Sequence, residues 1–395
     1  MKQGTFPSQR VRNWYRVVAI GLLNSVLLLL LLNLFLYMII RGRRPTNPEE
    51  APISTIVRSL AKAYPGWGEA DVKLLLTETS QLKYEYEPFT GFKERAFRGR
   101  FVNIDPAGFR VSKDQAPWPP RPEAFKVFVF GGSNAFGFGL PDDETIPSYL
   151  QECARARDFS RPVAVYNFGQ NGYFSSQERI LFEQLLSAGF VPQVAVFIEG
   201  ANEFWLAHGE PLGTDRMRRL MEGRLGPSPI EQLPMIKAAQ WLSNRGAKPQ
   251  PQKHVDYADP ALLQSIAARW LANQRMIEQV AAAFGVRPIF VWQPVPSYKY
   301  DIRYHFLHKP GEGQSSRSER WRAGYSLMEG LRAQGKLSAN VLWLADMQQD
   351  KHENLYVDFW HYNAAFSKEI AARICGSLTN APVNPPAKTV AVAIH

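Results

Sequence analysis

Cysteine is scarce in this sequence. Two of the 395 residues are cysteines, Cys153 and Cys375, and they lie far apart in the chain. This scarcity excludes a Cys-rich zinc module and an iron–sulfur protein. The chain also lacks the Gly-x-x-x-x-Gly-Lys-Ser/Thr pattern of P-loop nucleotidases and the Gly-x-Ser-x-Gly elbow of α/β hydrolases, so both classes are disfavoured.

Metal ligands at a recognisable spacing are also missing. His305 and His308 are close in sequence, and His254 and His352 could be added to them. No carboxylate or thiolate accompanies these histidines at the spacing that zinc sites show. We therefore predict neither a metal site nor a cofactor.

Acidic residues are absent from the first 44 positions, which hold seven basic ones. This segment carries +7 of the formal net charge of +10, so the other 351 residues carry only +3. The positive charge therefore belongs to the flanks of one apolar segment rather than to a binding face. We predict no nucleic-acid partner.

The apolar segment itself runs from residue 17 to residue 40 without a charge. A helix of 24 residues spans a hydrocarbon layer of about 30 Å, which favours a single-pass membrane anchor. A cleaved signal peptide is the alternative, but its apolar region would be shorter and would end in a small-x-small site. Basic residues on both sides make the orientation weakly determined. We favour a bacterial inner-membrane protein with its large domain outside the cytoplasm, where Cys153 and Cys375 could pair.

Hydrophobic periodicity divides the chain into regions. An α/β pattern begins near residue 125 and continues to about residue 380, with strands and helices in alternation. It predicts a doubly wound parallel sheet of five strands, at 126–130, 163–167, 194–198, 288–292 and 341–345. The predicted helices are 143–155 (capped by Asp142 or Asp143), 175–188, 260–284, 318–334 and 364–378. The other regions are an anchor (1–44), a linker and accessory region (45–124, with a helical part at 53–83 and short strands at 84–112), an insertion (205–259) and a disordered tail (381–395).

In sheets of this kind, ligands bind at the carboxyl ends of the parallel strands. In this sequence, polar and glycine residues follow four of the predicted elements at that edge. Ser133 could expose a hydroxyl at a glycine-rich turn, although it could also be an ordinary turn serine. His361 could take the proton of that hydroxyl, and Asp358 could orient the imidazole. The backbone N–H groups of Ser133 and Gly172 and the amide of Asn202 could bind an oxyanion. A tight turn at Gly172 and helix caps at Asn202 and Asp358 are the alternatives.

The order Ser133, Gly172, Asn202 and then Asp358 and His361 resembles the SGNH (GDSL-type) hydrolases over about residues 125–380. This resemblance implies a flavodoxin-like three-layer sandwich, a Ser133–His361–Asp358 triad and an oxyanion hole formed by Ser133, Gly172 and Asn202. Two positions depart from the best-known members, since Gly132 replaces an aspartate and Gly-Ala-Asn-Glu replaces Gly-Thr-Asn-Asp. With the anchor, the chain also looks like membrane-bound relatives and like polysaccharide-acetylation proteins.

The expected activity is therefore that of a membrane-anchored serine esterase acting on an acylated small molecule, lipid or glycan. An envelope polysaccharide O-acetyltransferase or deacetylase with the same triad is the first alternative. A non-catalytic module that binds glycan or protein is the second. Six residues that are close in sequence to the predicted catalytic groups are expected to line the substrate pocket: Asn134, Gln170, Glu199, Glu203, Trp205 and Trp360.

Overall fold

A computed structural model of the chain describes residues 9–42, 60–157, 159, 161–207, 210–211, 214, 233–244, 259–308 and 316–378. The predicted linker next to the anchor, the predicted disordered tail and most of the predicted insertion lie outside the described residues. The chain forms two compact units. One comprises residues 1–51 and 219–254, and the other comprises residues 52–218 and 255–395.

The helices and strands of the chain are named in sequence order. The helices are α1 (Gln9–Gly42), α2 (Glu69–Gln81), α3 (Ser133–Phe136), α4 (Ile146–Arg155), α5 (Ser175–Ser187), α6 (Pro234–Asn244), α7 (Pro260–Ala283), α8 (Ser316–Ala333) and α9 (Ala364–Leu378). The strands are β1 (Tyr84–Glu87), β2 (Gly91–Glu94), β3 (Phe97–Arg98), β4 (Asn103–Ile104), β5 (Phe125–Gly131), β6 (Val163–Asn167), β7 (Val194–Glu199), β8 (Leu206–Ala207), β9 (Glu210–Pro211), β10 (Arg287–Trp292) and β11 (Val341–Trp343).

The first unit contains the apolar helix α1. Its part from Gln9 to Ile39 is long and apolar enough to cross a membrane, and its most apolar 18-residue stretch has a mean hydropathy of 2.5. The side chains of its most apolar stretch are not covered by the protein. Within this unit Asn33 accepts a hydrogen bond at 3.1 Å from the backbone N–H of Met235, near the start of α6.

The second unit is built on a sheet of five parallel strands in the order β11-β10-β7-β5-β6. Phenylalanines such as Phe128 and Phe130 pack on one face with α5, α7 and α8. Valines such as Val127 and Val129 alternate with them and pack on the other face with α4 and α9. Because successive side chains of a strand point to opposite faces, an unbroken apolar run buries both sides of the sheet. The predicted doubly wound five-stranded parallel sheet is therefore confirmed.

Some boundaries differ from the sequence prediction. The helix predicted at 143–155 begins at Ile146, and its cap is Thr145, whose side chain accepts a hydrogen bond from the N–H of Ser148. The predicted caps Asp142 and Asp143 lie in a short 3₁₀ turn instead, and Asp142 accepts a hydrogen bond from Arg110. The helical prediction for 53–83 is realised, within the described residues, as a 3₁₀ turn at Ala61–Ala63 and as α2.

The described part of the accessory region belongs to the same compact unit as the sheet. Strands β1 and β2 form an antiparallel hairpin, and the N–H of Arg110 donates to the carbonyl of Asn167 at the end of β6. The carboxylate of Glu78 accepts hydrogen bonds from three consecutive backbone N–H groups, at residues 100 to 102. This region is therefore a layer built onto the sheet domain.

Cys153 and Cys375 form a disulfide, with 6.4 Å between their Cα atoms. The bond joins α4 to α9, which pack together on one face of the sheet. The pairing that the sequence left open is thus present in the structure.

Candidate active site

Ser133 lies at the first position of the short helix α3, directly after β5, and is only 8% exposed. Gly132 precedes it in an extended conformation. A Cβ atom at Gly132 would lie 2.1 Å from the Nδ2 atom of Asn202. Only a residue without a side chain lets Asn202 approach the serine turn this closely. The amide of Asn202 thus occupies the space that a side chain at position 132 would need.

His361 and Asp358 lie on one tight turn before α9. The Oδ1 atom of Asp358 accepts hydrogen bonds from the backbone N–H groups of Trp360 (3.0 Å) and His361 (2.9 Å). The carbonyl of His361 also accepts a hydrogen bond from the N–H of Val357 at 2.8 Å, which closes the turn. Aspartate side chains favour such local bonds to the backbone that follows them. The spacing Asp-x-x-His therefore follows from the turn itself.

Three side chains form a continuous hydrogen-bonded chain. The Oδ2 atom of Asp358 is 2.6 Å from Nδ1 of His361. The Nε2 atom of the same ring is 2.8 Å from the Oγ atom of Ser133. Both distances lie within the range for proton transfer between a nucleophile, a base and an orienting group. The structure therefore brings together the three residues that the sequence predicted as a triad.

The environment of Asp358 keeps this carboxyl ionised. Burial by itself raises the pKa of Asp358, but the neighbouring His361 and the hydrogen bonds from Trp360 and His361 lower it more strongly, so the pKa lies below its ordinary value of 3.8. Its side chain remains 23% exposed. A carboxylate in this state can hold the Nδ1 proton of the imidazole and stabilise an imidazolium.

The loop that follows β6, residues 168–174, approaches the serine turn from the second side. The N–H of Gln170 donates to the carbonyl of Gly131 at 2.9 Å. Gly172 has a φ of +87°, a left-handed conformation that favours glycine over any other residue. In the part of the chain that the structure describes, no protein group accepts a hydrogen bond from the N–H of Gly172. This N–H is therefore available to a ligand.

Asn202 approaches from the third side, after β7. Its Nδ2 donates to the carbonyl of Tyr173 at 2.6 Å, which uses one of the two amide hydrogens. Residues 201–205 form a turn, and over the described residues 201–207 no helix begins at Asn202 that it could cap. The three oxyanion-hole candidates thus come from three separate loops at one edge of the sheet.

The polar residues predicted to line a pocket are held inside the protein. Asn134 donates to Gln293 at 3.1 Å. Gln170 uses both ends of its amide, since it accepts from the N–H of Glu94 and donates to the carbonyl of Gly108. Glu203 accepts from the N–H of Ser175 at 2.7 Å and from Arg269 at 3.2 Å. These three side chains hold neighbouring loops together.

Aromatic rings lie around His361. Trp360 contacts Trp205 edge to face, with 5.3 Å between ring centroids, and both rings are half-buried. Phe138, which sequence reasoning missed, lies with its ring 4.5 Å from the His361 ring. Phe359 is 61% exposed next to Trp360. The only sequence signal for Phe138 is its position just after the serine turn. These rings give the site an apolar wall.

A buried cluster of three glutamates lies beneath the Asn202 loop. Glu199 accepts from the indole N–H of Trp270 at 2.6 Å. Burial first, and then the charge of Glu203, raises the pKa of Glu199 from 4.5 to about 8. Burial, Glu199 and Glu203 raise the pKa of Glu178 as well. The sequence had predicted Glu199 and Glu203 as pocket residues and had not singled out Glu178.

The described residues contain no group of three or more His, Cys, Asp or Glu side chains that could hold a metal. His254, one of the four histidines considered from the sequence, lies outside the described residues. His305 is buried against the ring of Tyr356, and its burial lowers its pKa. Aromatic packing therefore accounts for the position of His305.

No protein-family model matches the chain, and no curated protein matches it. Among solved structures, it is similar to a member of the lipolytic G-D-S-L family from Veillonella parvula, with 10% identity, a TM-score of 0.35, and coverage of 65% of this chain and 99% of that one. A lipase/acylhydrolase from Enterococcus faecalis has 14% identity, a TM-score of 0.34, and coverage of 64% and 94%. A catalytic mutant of an acetylxylan esterase from Geobacillus stearothermophilus has the same four values.

Proposed function

We propose that this protein is a serine esterase that hydrolyses carboxylic esters. The observation that carries the proposal is the hydrogen-bonded chain from Asp358 through His361 to Ser133, with contacts of 2.6 and 2.8 Å. A serine hydroxyl becomes a useful nucleophile only when a base can accept its proton, and His361 is in place to do so.

The reaction proceeds through an acyl-enzyme. The Oγ of Ser133 attacks the ester carbonyl carbon while Nε2 of His361 takes the hydroxyl proton. The tetrahedral intermediate collapses, the C–O bond to the alcohol breaks, and His361 gives its proton to the leaving oxygen. Water then attacks the acyl group with His361 again as base, which releases the acid and restores Ser133. Asp358 orients the imidazole and stabilises the imidazolium at both stages.

Three donors bind the negative oxygen of the intermediate. They are the N–H of Ser133 at the start of a helix, the N–H of Gly172 and the second Nδ2 hydrogen of Asn202. The placement of Asn202 against Gly132 supports its part in this set. Donors fixed before the reaction stabilise developing charge without reorganisation, and each is typically worth about 3 kcal/mol.

The apolar wall of aromatic rings supports a substrate that carries an acyl chain or a sugar next to its ester bond. Trp205 and Trp360 offer flat apolar surfaces beside the base, and such rings pack on acyl chains and on sugar faces. An O-acetyltransferase or a deacetylase that acts on an envelope polysaccharide is therefore the second candidate. An assay with an acetyl donor and a glycan, read by mass spectrometry, separates transfer from hydrolysis.

The location proposed for this activity is the outer side of a bacterial inner membrane. Helix α1 would be the anchor, since it is long and apolar enough to cross the bilayer. The disulfide between Cys153 and Cys375 supports an oxidising compartment for the sheet domain. A periplasm-specific reporter fused to the C-terminus should be active, and activity of a cytoplasm-specific reporter alone would contradict this orientation.

A fluorophosphonate probe gives the direct test of the function. The full-length protein in detergent should be labelled at Ser133, and the label should disappear in Ser133→Ala. The same preparation should hydrolyse short-chain nitrophenyl esters without added metal or cofactor. A folded protein that takes up no label and hydrolyses no ester would instead support a non-catalytic binding module.

A further inference from the structure

The β1–β2 hairpin of the accessory region contacts the loop that carries Gly172. Glu94, at the end of β2, is only 1% exposed. Its Oε1 accepts a hydrogen bond from the backbone N–H of Asn171 at 2.8 Å. Its own N–H donates to the side-chain oxygen of Gln170, also at 2.8 Å. A single hairpin residue is thus bonded to both residues that precede Gly172.

The hairpin also holds the loop on the other side of Gly172. The hydroxyl of Tyr173 donates to the carbonyl of Phe92, and their rings pack edge to face at 5.3 Å. The side chain of Gln177 donates to the carbonyl of Thr90 at 2.8 Å. One hairpin therefore contacts residues on both sides of Gly172, while the N–H of Gly172 itself has no acceptor among the described residues.

We propose that the hairpin, acting through Glu94, is a positioning element that aims the Gly172 N–H at the oxyanion of the ester reaction. This inference rests on the proposed function. It adds to the site the β1–β2 hairpin, which precedes the parallel sheet in the sequence. Glu94 touches no reacting atom in this scheme. It fixes the peptide that precedes Gly172, and a donor misplaced by about 1 Å can cost on the order of 100-fold in rate.

A carboxylate suits this position because both of its oxygens are acceptors, so it can accept the hydrogen bond that the Asn171 N–H donates. Glutamine keeps the size of the side chain and one acceptor oxygen, whereas alanine removes the acceptor and leaves the Asn171 N–H unsatisfied in a buried place. The pair Glu94→Gln and Glu94→Ala therefore separates the acceptor from the bulk of the residue. Glu87 lies on the same hairpin, pairs with Lys93 at 2.7 Å and makes no bond to the Gly172 loop, so Glu87→Ala is the matched control.

The test measures kcat and KM on a short nitrophenyl ester with the full-length protein. Because the oxyanion exists only after attack, E94A should lower kcat about 10- to 100-fold and change KM less than about 3-fold. E94Q should recover most of kcat, and E87A should match the unaltered protein. Hydrogen exchange should rise in peptides covering residues 168–174 in E94A and not in E87A. If E94A does not fold, Tyr173→Phe removes another hydrogen bond between the hairpin and the Gly172 loop and should lower kcat with little change in KM.

Several results would overturn the proposal. Unaltered kcat in a folded E94A is one, and a loss in E94A that E94Q does not restore is another, because it would indicate a general structural role. Equal kcat losses in E87A and E94A would also contradict it. If the unaltered protein shows no Ser133-dependent hydrolysis, the proposed function fails along with this inference. Hydrolysis that depends on Ser133 but not on Glu94 refutes the positioning role alone.

Discussion

Nε2 of His361 lies 2.8 Å from Oγ of Ser133, although 228 positions separate the two residues in the chain. Ser133 follows β5 near the centre of the sheet, and His361 lies on the turn before α9. The contact therefore exists only when the whole sheet domain is folded. Ester hydrolysis should report on the integrity of that domain as well as on the chemistry of the site.

Replacement of Ser133 by alanine should abolish the proposed hydrolysis. Loss of a serine nucleophile typically lowers kcat by at least about 10⁴-fold, because no other group attacks the carbonyl. Steady-state rates on a nitrophenyl ester measure the effect. Ser80→Ala, at an exposed serine of α2, is the control and should keep full activity. Equal rates in S133A and S80A would contradict the mechanism.

Replacement of Asp358 by asparagine should lower kcat by about 10⁴-fold while the chain stays folded. Asparagine can still accept the two backbone bonds of the turn, but its neutral oxygen stabilises the His361 imidazolium far less than a carboxylate. Rates across pH 5–9 together with circular dichroism check this. A D358N protein with near-normal kcat would show that Asp358 has only a capping role.

Asn202→Ala should lower kcat by about 10²–10³-fold, or 2.7–4 kcal/mol of barrier, with little change in KM. The amide of Asn202 would act on the transition state, so binding of the ester itself should change little. Asn340, an exposed residue that bonds to Glu278, supplies the control Asn340→Ala. A rise in KM at constant kcat in N202A would place Asn202 in substrate binding instead.

Glu199 predicts a pH dependence of stability. Its pKa in the folded protein is about 8, against an ordinary 4.5, so between these values the folded state holds a proton that the unfolded state has released. Stability should therefore fall as pH rises from about 4.5 to about 8. Glu199→Gln should reduce this slope and raise the Tm at pH 8 relative to the unaltered protein. The Tm measured from pH 5 to 9 tests it, with Glu152→Gln on the exposed face of α4 as control.

Loss of the disulfide should destabilise the sheet domain by about 2–4 kcal/mol, since the bond restricts the unfolded chain. Cys153→Ser with Cys375→Ser removes the link between α4 and α9. Urea denaturation measures the change. A reductant should shift the midpoint of the unaltered protein toward that of the double variant and leave the variant unaffected. A midpoint that does not change on reduction would contradict the prediction.

The periodicity of the chain predicted the sheet well because its strands are short apolar runs. Strand β6 and helix α9 have the predicted boundaries. The cap of α4 was predicted at an aspartate because aspartate is a strong cap, but Asp142 bonds to Arg110, which is 32 positions away, and Thr145 caps the helix. A long-range ion pair of this kind leaves no local pattern.

The order of polar residues along the strands predicted which side chains meet at Ser133, because parallel strands end at one edge. It could not separate residues that face a substrate from residues that face the protein. Gln170 and Glu203 follow their strands as Asn202 does, yet they bond to Glu94 and Arg269. Those partners come from a hairpin before the sheet and from helix α7, so only the folded chain reveals them.

The cross-link between Cys153 and Cys375 closes a loop of chain that contains four of the five strands of the parallel sheet, β6, β7, β10 and β11, and also the segment between β9 and α7. A protease that cuts the chain once anywhere between these cysteines therefore releases no fragment. When the cut lies before His361, one piece carries Ser133 and the other carries His361, and the two would migrate together on a non-reducing gel and separate only after a thiol is added.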